Sequence, residues 1–301
     1  MQAGRSGISY PFAAREPEVP VRIWHQSMGS VQMNNVGGPI IEHARKVVED
    51  GTEVVVHGLP APADYVTSVE SIKNGTAPTG AVTTIDVIGS AYLYDITLRQ
   101  AIETARQAER EGYDAYVIGS WTDPFVREMR SAVDIPVVST AQTSLLLASS
   151  FGKLQGHISL NATMARVARE RAREYGVADQ VAFLAALGED MDEWVIQHAW
   201  NKPDEIITRF TELARQAIAA GADVIIPVEG IITEFFYANG VTQIKDAPVL
   251  DTFGLAWKYA EFLVNLRKKT GLTVSRQWEY RKASNAQVAR VRAALGLGGS
   301  A

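Results

Sequence analysis

A chain of 301 residues, 47% apolar and 21% charged, is long enough to bury a substantial core, as one large domain or two smaller ones. Its 29 basic and 34 acidic side chains leave a formal net charge of -5 and no polyelectrolyte face, so neither nucleic acid nor anionic membrane is expected as a partner. The absence of cysteine excludes disulfides, thiolate metal sites and cysteine nucleophiles together, and fits a cytoplasmic protein.

Residues 1–20, MQAGRSGISYPFAAREPEVP, lack an apolar h-region and read as an N-terminal arm; no later run of 18 apolar residues suggests a membrane span. From there the chain repeats one unit: a short β-branched run, a polar or glycine-bearing turn, then a helical pattern, the rhythm of a parallel α/β protein. Strands are predicted at 21–25, 53–58, 113–119, 135–139, 157–161, 181–187, 223–228 and 247–251, with helices at 95–111, 140–151, 163–175, 204–220 and 253–270. The segment 59–91, rich in turn formers, reads as a long connection or lid with room for short helices. Residues 271–292 carry RQWEYRK and RVR, read as a terminal helix packing on another subunit, and GLGGSA at 296–301 is expected to fray.

ARQAEREGYDAYVIGS and ARQAIAAGADVIIPVE share one pattern, a helix that ends in glycine and enters a strand through an aspartate-bearing turn. Two similar half-molecules follow from it, with strand exits at Ser120 and Glu229. Glu229 is either a solvated strand end or a carboxyl facing a pocket, where partial burial raises its pKa from about 4.3 toward the range useful for proton transfer. Ser120, Trp121 and Thr122 lie just outside the strand AYVIG, where backbone N–H groups and short hydroxyls can bind a carboxylate or carbonyl oxygen. The alternative for Ser120 is a tight-turn residue, and Asp123-Pro124 reads as a helix start capped by Asp123. Thr140, Gln142 and Thr143 in STAQTS, and Asn161 and Thr163 in HISLNATM, stand at strand-to-helix junctions whose free N–H groups suit an anion, although such residues are more often caps. The five histidines, at 25, 43, 57, 157 and 198, form no HxH or HExxH element, and no dinucleotide or P-loop fingerprint occurs, so no metal and no cofactor is expected.

IGSWTDPFVREMRSAVDIPVVSTAQTSLLLAS, with GADVIIPVEGI and PVLDTFGLAWKYAEFL, resembles the aspartate/glutamate and hydantoin racemase superfamily, most nearly its hydantoin (allantoin) racemase branch, over roughly 21–270. The resemblance implies two similar α/β lobes, each with a mainly parallel sheet flanked by helices, a cleft between them, and assembly into homo-oligomers. On that plan residues 21–133 plus 249–270 make the first lobe, 134–248 the second, and 271–301 a C-terminal extension at an oligomer interface. It also implies cofactor-independent proton transfer in a small polar cyclic or carboxylate substrate. Gln26 and Ser30, beside Gly29 in WHQSMGSVQMNN, match the family's asparagine-bearing turn that binds substrate. The family's two cysteines fall on Ser120 and Glu229, so both thiols are missing.

A serine hydroxyl is too weak an acid to replace a thiol, whereas glutamate can shuttle protons. That asymmetry leads to the expectation of a hydrolase that opens a cyclic amide, imide or related nitrogen heterocycle, Glu229 activating water and the Ser120 turn polarising the carbonyl. Two alternatives stand beside it. One is an isomerase, racemase or decarboxylase acting beside a carbonyl or carboxylate, with a second acid supplied by Tyr92, Tyr94 or a histidine. The other is a non-catalytic ligand-binding protein, favoured if Glu229 pairs permanently with Arg127 or Arg130.

Overall fold

The structure, a computed structural model, describes residues 20–28, 37–59, 66–189, 191–200 and 202–297, so most of the N-terminal arm and the turn residues Gly29 and Ser30 lie outside the described residues. The chain first lays down β1 (Arg22–Gln26), α1 (Gly37–Val47) and β2 (Glu53–His57), then the short helices α2 (Val69–Lys73), α3 (Thr84–Gly89) and α4 (Ala91–Leu98). There follow α5 (Gln100–Arg110), β3 (Ala115–Ile118), α6 (Val126–Ala132), β4 (Val137–Ser139) and α7 (Thr140–Leu147). The second half adds β5 (Gln155–Ser159), α8 (Ala162–Glu174), β6 (Val181–Ala186), α9 (Glu193–Ala199), α10 (Asp204–Ala219), β7 (Val224–Val228) and α11 (Gly230–Ala238). A small hairpin of β8 (Gln243–Ile244) and β9 (Ala247–Pro248), the long α12 (Thr252–Thr270) and α13 (Asn285–Ala294) complete it.

Among the described residues the larger sheets are both parallel, β2-β1-β3-β4 and β6-β5-β7, which is the two-lobed α/β architecture that the strand-turn-helix rhythm predicts. β4 pairs with β3 as far as Ile118↔Ser139, so the first sheet runs past the boundary at 133 read from the sequence. Side chains alternate along β3: Ala115 and Val117 join Ile158 and Ile225 of the second sheet and Ala256, Trp257 and Ala260 of α12 in one cluster, while Tyr116 and Ile118 face Ala101, Ala105 and Ala108 of α5 in another. α5 buries Ala101, Thr104, Ala105 and Ala108, an i, i+3, i+4, i+7 face of small residues that lets the helix lie close on the sheet.

The predicted helix 95–111 is broken at Arg99, where α4 ends and α5 begins. The segment expected to be a connection or lid holds α2 and α3, started by Ser68 and by a capping box of Thr83 and Asp86. Beyond α12, Arg276 donates to the carbonyls of Arg130 and Val133 and to Asp134, Lys282 pairs with Glu109 and Asp134, and Arg292 with Glu103. These basic side chains, expected to face another subunit, are thus paired within this chain's first lobe. No helix among the described residues is long and apolar enough to cross a membrane.

The topology fixes where a site can form. β1 sends its crossover to β2 on one side, while β3 lies on the other; β5 stands likewise between β6 and β7. Each sheet therefore has a switch point at which successive connections diverge, and the crevice beyond the carboxyl ends of the strands there is the natural ligand position. In the first sheet those ends are level at Gln26↔Ile118, and in the second at Ser159↔Val228.

A glycine at each exit admits an aromatic ring. A Cβ on Gly119 would stand 2.5 Å from His25 Nε2 and 2.9 Å from the Gln26 carbonyl oxygen, and one on Gly230 would overlap the Phe253 ring. Gly230→Ala is expected to lower the unfolding free energy by about 1–3 kcal/mol, the usual cost of overpacking. A urea titration of Gly230→Ala, Phe253→Leu and the double variant tests the cause: the losses should be less than additive, and strict additivity would remove the steric explanation.

Candidate active site

Glu229 follows the last residue of β7 and is the N-cap of α11; its Oε2 accepts a 2.6 Å hydrogen bond from the Ile231 N–H. Its backbone, at φ 156° and ψ 147°, lies in a region otherwise kept for glycine, held by Thr233, whose N–H and Oγ1 both donate to the Glu229 carbonyl. Burial pushes the carboxyl up to about 7, helped by the nearby charge of Glu193 and opposed by the amides of Ile231, Gly230 and Ile232. The group is half-buried by surface accessibility, yet protein surrounds it closely enough for desolvation to outweigh the helix end. Among the described residues no cation pairs with it: Arg127 binds Glu128 and Glu279, and Arg130 binds the Val137 carbonyl and Gln142.

Ser120 is half-buried at the first exit, its Oγ 2.9 Å from Thr122 Oγ1 and accepting from the Thr122 N–H at 3.2 Å. Tyr94 reaches the same turn from α4, its hydroxyl donating to the Thr122 carbonyl at 3.0 Å, and burial pushes that hydroxyl up to about 12. Tyr92 is 73% exposed and points elsewhere. The glycines join the two exits: His25, pressed on Gly119, meets Phe253, pressed on Gly230, edge to face at 4.8 Å between ring centroids. The residue after Gly119 and the residue before Gly230, Ser120 and Glu229, are thus held about the same ring pair.

The other predicted residues divide. Gln26 is fully buried and turned inward, accepting from Trp24 Nε1 and donating to the carbonyls of Ser27 and His57. Trp121 is fully buried too, clustered with Val224, Ile226 and Val228 of β7, so it is core between the lobes and not an exposed contact. Thr140 donates to the Ile118 carbonyl at 2.6 Å, Gln142 accepts from Arg130, and Thr143 is buried in α7. Asn161 caps α8 through Met164 N and donates to the Met191 carbonyl, with Thr163 half-buried beside it. Ser30 lies outside the described residues.

Asp123 does not cap α6, as its place before proline suggests. Its φ of 49° turns the side chain away, the N-cap is Phe125 without a side-chain bond, and Asp123 Oδ2 accepts instead from the Tyr175 hydroxyl at the end of α8, 2.6 Å away. His57 stacks on Trp24 and meets Tyr113, and His198 is exposed, so neither joins Glu229.

Sequence reading missed Glu193, the first residue of α9. The Thr84 hydroxyl lies 2.6 Å from both its carboxyl oxygens; burial raises its pKa, and its charge in turn raises that of Glu229. In MDEW, after the sixth strand, Asp192 is the cap of α9, and nothing in the four residues alone sets Glu193 apart.

Two parallel-sheet lobes whose strand exits meet around a ring pair, with a buried carboxyl at one of them, make a two-lobed α/β fold. The chain belongs to the Asp/Glu/hydantoin racemase family, whose model matches residues 68–226. A hydantoin racemase from Pseudomonas sp. (strain NS671) is 24% identical over 220 residues, 73% of this chain and 83% of that protein. In fold the chain is similar to allantoin racemase from Klebsiella pneumoniae (TM-score 0.69, 20% identity, covering 88% of this chain and 94% of the other). It is similar also to allantoin racemase from Pseudomonas fluorescens (TM-score 0.64, 18% identity, 87% and 97% covered). The expectation of a hydrolase acting on the C–N bonds of a cyclic amide is corrected by these findings: the family and these relatives are named for racemisation, the reaction set second from the sequence.

The raised Glu229 carboxyl carries a sign. Between the ordinary value of 4.5 and about 7 the native state holds a proton that the unfolded chain has released, so this group makes stability fall as pH rises through that window. Glu229→Gln removes the slope. Its melting temperature is expected to gain on the wild type at pH 8 relative to pH 5, and an equal difference at both would place Glu229 at an ordinary pKa.

Proposed function

We propose that the protein is an isomerase of the racemase type, moving a proton at a carbon beside a carbonyl in a small cyclic amide of the hydantoin class. The observation that carries this is the Glu229 carboxyl at the second exit, with no cation paired to it among the described residues and burial pushing it up to about 7. As carboxylate, Glu229 takes the proton from the substrate carbon; the C–H electron pair moves onto the adjacent carbonyl oxygen, giving an enolate. The turn of Ser120 and Thr122 offers hydroxyl donors to that oxygen. Return of a proton from the first-lobe side inverts the centre, and Tyr94 beside Ser120 is the acid we assign to it. With a pKa of about 12 its phenol is a weak acid toward water, but an enolate is a far stronger base than water. Burial raises the Glu229 carboxyl toward neutrality, and the nearby charge of Glu193 adds to it.

The test follows deuterium into a single-enantiomer 5-substituted hydantoin in heavy water, by NMR and polarimetry together. Wild type should wash in deuterium and lose optical rotation without ring opening, with kcat/KM rising through pH 7 as Glu229 ionises. Glu229→Gln should lose about 10²–10⁴-fold, the usual worth of a general base. Tyr94→Phe should keep exchange from the enantiomer whose proton faces Glu229 while inversion slows. Full exchange by Glu229→Gln would defeat the assignment of the base, and undiminished inversion by Tyr94→Phe that of the acid.

A further inference from the structure

The structure holds a second titratable cluster that the proposed reaction does not use. His43, on α1, is buried, with Nδ1 2.7 Å from Glu234 Oε1 and Nε2 2.9 Å from Asp251 Oδ2. Tyr237 stacks on the ring at 3.4 Å between centroids, and Trp257 meets it edge on at 5.0 Å. The charged groups facing His43 are these two carboxyls, Glu234 from α11 and Asp251 from the start of α12. A neutral imidazole has one N–H, so with both carboxyls ionised the lone pair of the other nitrogen would face an anion; against two carboxylates both nitrogens donate. Burial alone lowers such a ring, but the hydrogen bonds and charges of Asp251 and Glu234 outweigh it and raise His43 to about 9.

The cluster stands directly below the site. Glu234 is one turn past the Gly230–Ile232 amides that face the Glu229 carboxyl. Asp251 uses its other oxygen to cap α12 at Gly254, and Thr233 bonds Thr252 across the same seam at 2.9 Å. α1 belongs to the first lobe, between β1 and β2, whereas α11 follows β7 of the second.

We propose that His43 is a positioning residue: by bonding Glu234 and Asp251 at once, it pins α11 one turn past its start, and with it Glu229, to the first lobe. Its catalytic consequence rests on Glu229 being the base, but its structural part does not. The bond is fully present below the unfolded histidine value of 6.5 and is lost as pH rises through about 9.

The experiment combines NMR titration of ¹⁵N-labelled histidine rings with hydrogen exchange at the Ile231 and Ile232 amides and hydantoin deuteration kinetics. The His43 ring should stay doubly protonated to about pH 9. In His43→Gln the α11 amides should exchange about tenfold faster or more, while those of β3 hold. The deuteration kcat should fall about tenfold with little change in KM, and the alkaline loss of activity near pH 9 should disappear. Where His43→Gln does not fold, Glu234→Gln carries the test: the ring keeps a hydrogen-bonding partner and loses an anion, so its titration should move down and the α11 amides loosen. A His43 that titrates below pH 7, or α11 amides unchanged in the variant that folds, overturns the proposal. Should Glu229→Gln keep full exchange, the base assignment fails alone, because the ring titration and the amide rates report on His43 independently.

Discussion

Two glycines and the two rings pressed on them set the spacing on which the site depends. Gly119 and Gly230 are the hinges of strand-to-helix turns in different lobes, and His25 and Phe253 fill the room that their missing side chains leave. Ring packing tolerates little compression, since the interior is as dense as an organic crystal. The separation of the two exits is therefore set by the edge-to-face contact of an imidazole and a phenyl ring rather than by loop length. Trp257 completes the arrangement by donating its indole N–H to His25 Nδ1, which fixes the tautomer and leaves the imidazole neutral, burial holding it down at about 3.

Around that frame the chain manages an awkward set of buried carboxyls. Glu229 and Glu193 sit close enough to repel, and the protein answers one with helix amides and the other with the Thr84 hydroxyl, not with an arginine. Glu234 and Asp251 are answered by the buried imidazolium of His43. The two solutions have different consequences. Amides and hydroxyls leave burial to push the Glu229 and Glu193 carboxyls up, whereas the His43 ring ties two carboxyls from different helices to one point.

Much of the architecture was legible because it depends on local pattern. Seven of the predicted strands are present within a residue or two, their β-branched runs bounded by glycine and aspartate; the eighth, 247–251, survives as the two-residue β9 and a bridge from Val249 to Ile225. α11 escaped because GIITEFFYA is buried on nearly all sides and so has no polar face to give it a period. Glu229 was conspicuous as a charge ending an apolar strand. Glu193 was not, since its importance comes from α9 packing on α11, the helix that Glu229 caps, a contact that no local spacing encodes. Asp123 misled for a related reason: Asp-Pro is a good local cap signal, and a tyrosine 52 residues away in sequence takes the carboxylate instead. Gln26 matches the family's substrate-binding turn and Trp121 stands just past a strand end, yet both side chains are drawn into the core.

The C-terminal extension is tied to more than the surface on which it lies. Arg276 donates to the Arg130 carbonyl, the Arg130 guanidinium reaches over to the Val137 carbonyl and Gln142, and Val137 opens the strand that delivers Thr140 to its place under the Ile118 carbonyl. A protease cut in the exposed stretch between Gly271 and Arg276 would therefore be felt beyond the segment it releases. It would free the last turn of α6 and slacken the far edge of the first sheet, making the integrity of the tail a condition for the geometry of a site to which it contributes no side chain.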